Sequence, residues 1–224
     1  MAIQVQGNGG VVAEVAGTLF RALNINAKPV DCGALGAYTY GGLTGIIPAA
    51  FGANSEIFQF RWTNATNLAV IRKIRISACV TTTFFAAGVP VQIDLVKATA
   101  WSVQGTLGTA LSPAALLKRR TSMGSSLVAS GDIRIATTAA LGAGTKTLEG
   151  LSLSTLVAPG PITASLNGGI IAPGTILWQA EVGDGEHPLV LVQNEGFVIR
   201  SVAVPASGTW QVAINVDWAE VGSY

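Results

Sequence analysis

Between Thr209 and Val221 the chain alternates: Trp210, Val212, Ile214, Val216 and Trp218 fall on one side of an extended strand, with Thr209, Gln211, Asn215 and Asp217 on the other. A period of two is the repeat of a β-strand, and five large apolar side chains on one face need a second layer to cover them. The stretch predicts a central strand of a sheet packed face to face with another.

The same pattern recurs along the body. Phe58, Phe60 and Trp62 alternate with Gln59 and Arg61. Val70, Ile74, Ile76, Ala78 and Val80 share a face opposite Lys73, Arg75 and Ser77, and Asn64 to Asn67 supply the turn between these two runs. Val91, Ile93 and Leu95, then Ile133 and Ile135, then Ile176, Trp178, Ala180 and Val182 predict further strands. Residues 189–193 and 197–204 read as a hairpin through Asn194-Glu195-Gly196, with the glycine expected in the left-handed conformation. One short helix is expected, with Ser112 as N-cap, Pro113 in the first turn and residues 114–120 as its body. The expected fold is all-β: a two-sheet antiparallel sandwich, jelly-roll-like, with an N-terminal β-ribbon and extended arm and one short helix.

Two regions are expected. Residues 1–54 open with short apolar runs separated by Gly7-Asn8-Gly9-Gly10 and Ala16-Gly17, a small meander, and continue as a Gly/Ala-rich segment whose large anchors are Tyr38, Tyr40 and Phe51. Such a segment does not build its own core, so residues 1–54 read as a ribbon and arm ordered by packing on other protein. Residues 55–224 read as the sandwich.

Composition narrows the function. With 13 basic and 12 acidic residues the net charge is +1, which gives no field to draw the chain onto nucleic acid or anionic lipid. The uncharged run from Cys32 to Ser55 is long enough to span a bilayer, but its glycines and Pro48 break it as a helix. The N-terminus has neither the basic start nor the apolar run of a secretory signal, so the chain is expected to be made and kept in a cytoplasm. Cys32 and Cys79 lack metal-site spacing and read as free buried thiols.

No reaction signature emerges, and no enzyme, metal or cofactor is expected. His187 is the sole imidazole. It sits in Gly183-Asp184-Gly185-Glu186-His187-Pro188, where Asp184, Glu186 and His187 offer a metal or base cluster but read as a solvated turn. Residues 141–147 (LGAGTKT) hold the residue types of a phosphate-binding loop in the wrong order, with Thr145 between Gly144 and Lys146, and read as a glycine-rich connection. Asn64-Ala65-Thr66 fits a glycosylation sequon but reads as a turn. Lys118, Arg119 and Arg120 form the densest basic cluster, with Ser122, Ser125 and Ser126 nearby as donors and no aromatic platform for stacking bases.

A mean hydropathy of +0.51 with so few ions describes a surface that needs covering. Self-association into a symmetric assembly covers it most simply. Tyr38, Tyr40, Phe51, Lys118, Arg119 and Arg120 are the expected interface residues.

The MAIQVQGNGGVVAEV opening, RIATTA at 134–139, residues 183–188 and 193–200, and the stretch 208–221 together resemble bacteriophage virion structural proteins of the small head-associated type. The resemblance implies a virion location and a capsid decoration or cement protein. It further implies a homo-oligomer, a trimer above all, whose partners are the major capsid protein or other virion proteins, without nucleic acid or membrane. The alternative is a carbohydrate- or receptor-binding module of a phage fibre or tail, with Trp101, Trp178, Tyr38 and Tyr40 stacking on sugars.

Overall fold

The computed structural model describes residues 5–6, 12–13, 15–16, 22–23, 35–48, 51–83, 85, 90–119, 121–159, 169–180, 187–203 and 207–223. The chain divides into two compact units, Met1–Asp31 and Cys32–Tyr224. In the first, β1 (Val5–Gln6) pairs antiparallel with β2 (Val12–Ala13), and β3 (Val15–Ala16) with β4 (Ala22–Leu23). The first pair flanks the expected Gly7-Asn8-Gly9-Gly10 turn, whereas Ala16, expected in the second turn, is the end of β3 and pairs with Ala22.

The second unit is a two-layer sandwich. Its strands are β5 (Gly36–Leu43), β6 (Ile47–Pro48), β7 (Ser55–Trp62), β8 (Leu68–Val80), β9 (Val91–Val103), β10 (Thr109–Ala110) and β11 (Leu117–Lys118). They continue with β12 (Ile133–Ile135), β13 (Thr145–Leu148), β14 (Ser154–Ala158), β15 (Gly169–Gln179), β16 (Leu189–Leu191), β17 (Glu195–Ala203) and β18 (Thr209–Val221). Sheet I runs β10-β12-β7-β17-β9, with β13 and β14 sharing the far side of β9. Sheet II runs β11-β5-β18-β8, with β15 and β16 sharing the far side of β8 and β6 pairing the start of β18. Every pairing is antiparallel.

Taking β5, β7, β8, β9, β14, β15, β17 and β18 as first to eighth, sheet II holds the first, eighth, third and sixth, and sheet I the second, seventh, fourth and fifth. That is the path of a jelly roll, two Greek keys wound across two sheets. The inward faces form one core. Phe60 meets Trp218 edge-on at 5.3 Å and Tyr40 stacks on Phe58 at 5.5 Å, each contact joining the two sheets. Trp210, Val212, Ile214, Val216 and Trp218 are all buried, as their alternation requires.

Several expectations change. The arm does not extend to residue 54: β5 lies between β11 and β18, and the compact body begins at Cys32. The helix shrinks to one 3₁₀ turn, Pro113–Ala115, with the Ser112 hydroxyl accepting from the Ala114 amide, because the chain then leaves to pair Leu117 and Lys118 with β5. In β8 a bulge at Arg72 shifts the phase, so that Ala69 and Ile71 point inward before it and Ile74, Ile76 and Ala78 after it; Val70 falls on the outer side. In β15 irregular pairing between Ile176 and Trp178 exposes Ile176 and buries Leu177, and Ala180 lies past the end of the strand. Val182 lies outside the described residues. In the hairpin at 192–196 the left-handed residue is Asn194 (φ 63°), and Gly196 is already strand.

Candidate functional site

The two outer faces of the sandwich are treated differently by the chain. On sheet I the sequence supplies its own cover. Gln59 and Arg61 of β7, Gly196, Val198 and Arg200 of β17 and Asp94, Val96 and Ala98 of β9 point outward. Ala100 adopts φ 50°, and the chain beyond it carries Trp101 onto the same face. There Val96, Ala98, Trp101 and Val198 make a second, smaller apolar cluster with Leu148 of β13 against it. The indole Nε1 donates to the Val103 carbonyl at 3.1 Å.

The segment read as a glycine-rich connection closes over this cluster. The Leu141 amide donates to the Glu56 carbonyl and that of Gly142 to the Thr106 carbonyl, which pins the loop down. Lys146 then turns inward. Its ammonium lies 4.5 Å from the Trp101 ring centroid, donates to Glu56 Oε2 at 2.9 Å and to the Ala143 carbonyl, and its side chain is 3% exposed. The Gln59 amide nitrogen donates to the same Glu56 oxygen at 2.5 Å and to the Gly142 carbonyl at 2.8 Å. Burial lowers the Lys146 pKa, against the opposing pull of Glu56. The same face is laced by Arg61 with Asp132 at 2.6 Å, and by Asp94, which accepts from Ser152 and Thr155.

Among the described residues, no loop is packed over the outer face of sheet II as the 141–146 loop is over sheet I. At one end Asp217 collects Arg75 at 2.9 Å, Arg119, and the Thr39 hydroxyl at 2.5 Å. Burial alone would raise its pKa; the hydrogen bonds from Thr39, Arg119 and Arg75, with the Arg119 charge, outweigh that and hold it below the usual value. At the other end most side chains are small or apolar, and Gln211 is turned to the Thr44 carbonyl. Leu43, Ser77, Cys79, Pro173, Gln211 and Ala213 line a shallow groove of about 220 Å³. Leu43 and Ile176 are each at least half exposed.

The expected interface residues separate. Tyr38, Tyr40 and Phe51 are spent on the chain's own core, and burial pushes the Tyr40 phenol up to about 12. Lys118 is exposed on an edge strand. Arg119 is committed to Asp217, and Arg120 lies outside the described residues. Ser126 is buried and donates to Glu220, so it is no free donor beside the basic cluster. Trp101 is fully buried and Trp178 half-buried, so of the four candidate sugar platforms three are closed. Cys79 is exposed and not buried as expected; Cys32 is outside the described residues. Asp184 and Glu186 are likewise outside them, and His187 Nδ1 sits 2.7 Å from the Pro188 carbonyl. Asn64 caps its turn through Oδ1, which accepts from the Thr66 and Asn67 amides.

Sequence reasoning missed the buried carboxylates Glu56, Asp94, Asp132 and Glu220. Each sits on or beside a strand opposite a cation or hydroxyl distant in sequence, and no local pattern announces such a pairing. Among the described residues no group of His, Cys, Asp and Glu is arranged to hold a metal ion. Comparison with protein-family models, with curated proteins and with solved structures gives no match.

Proposed function

We propose that the chain is a structural subunit of a bacteriophage particle, of the capsid decoration or cement kind, which associates with its own copies and clamps neighbouring shell subunits. The observation that carries this reading is the asymmetry of the outer faces. The 141–146 loop and a buried lysine cover part of sheet I, and among the described residues sheet II keeps a shallow groove edged by Leu43. Exposed apolar area of this kind stays soluble when another surface covers it. The jelly-roll path supports the reading as an architecture that tiles shells, although the fold serves other functions too. The phage assignment rests on the sequence resemblance.

Sedimentation of the full-length chain at micromolar concentration tests the association: an assembly larger than one chain is expected, and a monomer throughout would overturn the proposal. Labelling the chain on the particle tests the location. A label on the head surface is expected, whereas one at a tail tip would select the receptor-binding alternative.

A further inference from the structure

Three side chains under the 141–146 loop form an arrangement that salt bridging alone does not require. Lys146 Nζ and Gln59 Nε2 both donate to one oxygen, Glu56 Oε2, at 2.9 and 2.5 Å. An amine nucleophile and the nitrogen of a carboxamide thus flank a single proton carrier. Gln59 is fully buried, and its Oε1 has no hydrogen-bond partner, a condition that buried polar atoms rarely tolerate. The amine lies over the face of the Trp101 ring, 4.5 Å from its centroid. Gly105 packs so closely that a methyl group there would collide with the Gly142 carbonyl and the Gln59 amide. With the Lys146 side chain 3% exposed and Gln59 fully buried, both reacting groups are shielded from bulk solvent.

We propose that Lys146 and Gln59 become covalently joined, the lysine amine displacing ammonia from the glutamine side chain to form an Nε-(γ-glutamyl)lysine bridge, with Glu56 relaying the proton.

The steps balance. A proton passes from the Lys146 ammonium to the Glu56 carboxylate, leaving a neutral amine beside a carboxylic acid; burial disfavours the charged form of the lysine. The Nζ lone pair forms a bond to Gln59 Cδ while the carbonyl π pair shifts onto Oε1, and that pair returns to re-form the C=O bond when the Cδ–Nε2 bond breaks. Glu56 gives its proton to Nε2 and takes one from Nζ, the Cδ–Nε2 bond breaks, and ammonia leaves. Glu56 ends the exchange as it began it, protonated, and nothing is oxidised or reduced.

The product replaces a buried ion pair with a neutral amide. It also ties β13 at one side of sheet I to β7, across β17 and β9. This bridge stands independently of where the subunit is used.

Intact-mass spectrometry of the purified full-length chain, held folded at mildly alkaline pH, is the test. The expected mass is one ammonia below that of the sequence, with a protease digest yielding a branched peptide that joins the segment around residue 59 to that around residue 146. Glu56→Gln and Lys146→Arg should each restore the full mass. The wild-type mass is decisive by itself, so a variant that fails to fold does not shelter the proposal. A full-mass wild type, or an ammonia loss that maps elsewhere or persists in Lys146→Arg, overturns it.

Discussion

The Trp101 indole closes directly on the Cα of Gly196: a methyl group there would stand 2.8 Å from the six-membered ring and nearer still to the Phe60 carbonyl. Glycine is required at this position by close approach and not by backbone handedness, since the left-handed residue of the turn is Asn194. This contact seats the tryptophan that Lys146 covers.

Gly196→Ala should therefore destabilise the fold by about 2 kcal/mol, the usual scale of overpacking where backbone cannot yield. Urea denaturation measures it. A loss within about 0.5 kcal/mol, typical of an unconstrained surface site, would show that the ring moves aside freely.

Asp217 makes stability depend on acid. Its folded pKa is depressed, so the native state holds the proton less tightly than the unfolded chain, and the stabilisation is present above the unfolded value and lost as pH falls through the folded one. Asp217→Asn should lower stability at neutral pH and shrink the difference from wild type on acidification. Chemical denaturation across the carboxylate range reads this directly.

Glu220 should behave in the opposite sense. It is fully buried, and desolvation raises its pKa despite hydrogen bonds from Ser126, the Leu127 amide and Trp218. The native state then binds the proton more tightly than the unfolded chain, so stability from this group is present below the unfolded pKa and declines as pH rises through the folded one. The stability difference between wild type and Glu220→Gln should be largest in favour of wild type at acid pH and diminish as pH rises. A difference that grows with pH would contradict the assignment.

Tyr40 and Leu43 separate buried core from exposed face on a single strand. Tyr40→Ala removes a buried ring stacked on Phe58 and should cost about 3 kcal/mol or more, measured by denaturation. Leu43→Asp changes an exposed side chain and should leave stability within about 0.5 kcal/mol. It should nevertheless shift the sedimentation profile towards the monomer. Lowered stability with unchanged association for Leu43→Asp would remove the outer face of sheet II from the interface.

The fold was legible wherever alternation was carried by large side chains. β7, the inner face of β9 and β18 follow directly from Phe58, Phe60 and Trp62, from Val91, Ile93 and Leu95, and from the Trp210 to Trp218 series. β5 was not recognised because Gly36, Ala37, Gly41 and Gly42 dilute its pattern, although Tyr38 and Tyr40 already stood two apart. The bulge at Arg72 was hidden because a shift of phase within a long apolar strand leaves either parity looking acceptable. The cluster beneath the 141–146 loop was out of reach for another reason. Glu56, Gln59, Trp101 and Lys146 become neighbours only when distant strands share a sheet, and Lys146 in sequence reads as part of a glycine-rich connection.

The position of β18 between β5 and β8 also governs when the body can finish forming. Until residues 209–221 arrive, the first and third strands of the roll have no hydrogen-bonding neighbour between them, and the inner side chains of β7 and β17 face a layer with its middle missing. A ribosome-bound chain halted short of Thr209 would carry two open edges of the kind that recruit foreign strands. Completion of the sandwich is thus timed by its last strand, and crowding of nascent copies is most hazardous just before that strand is released.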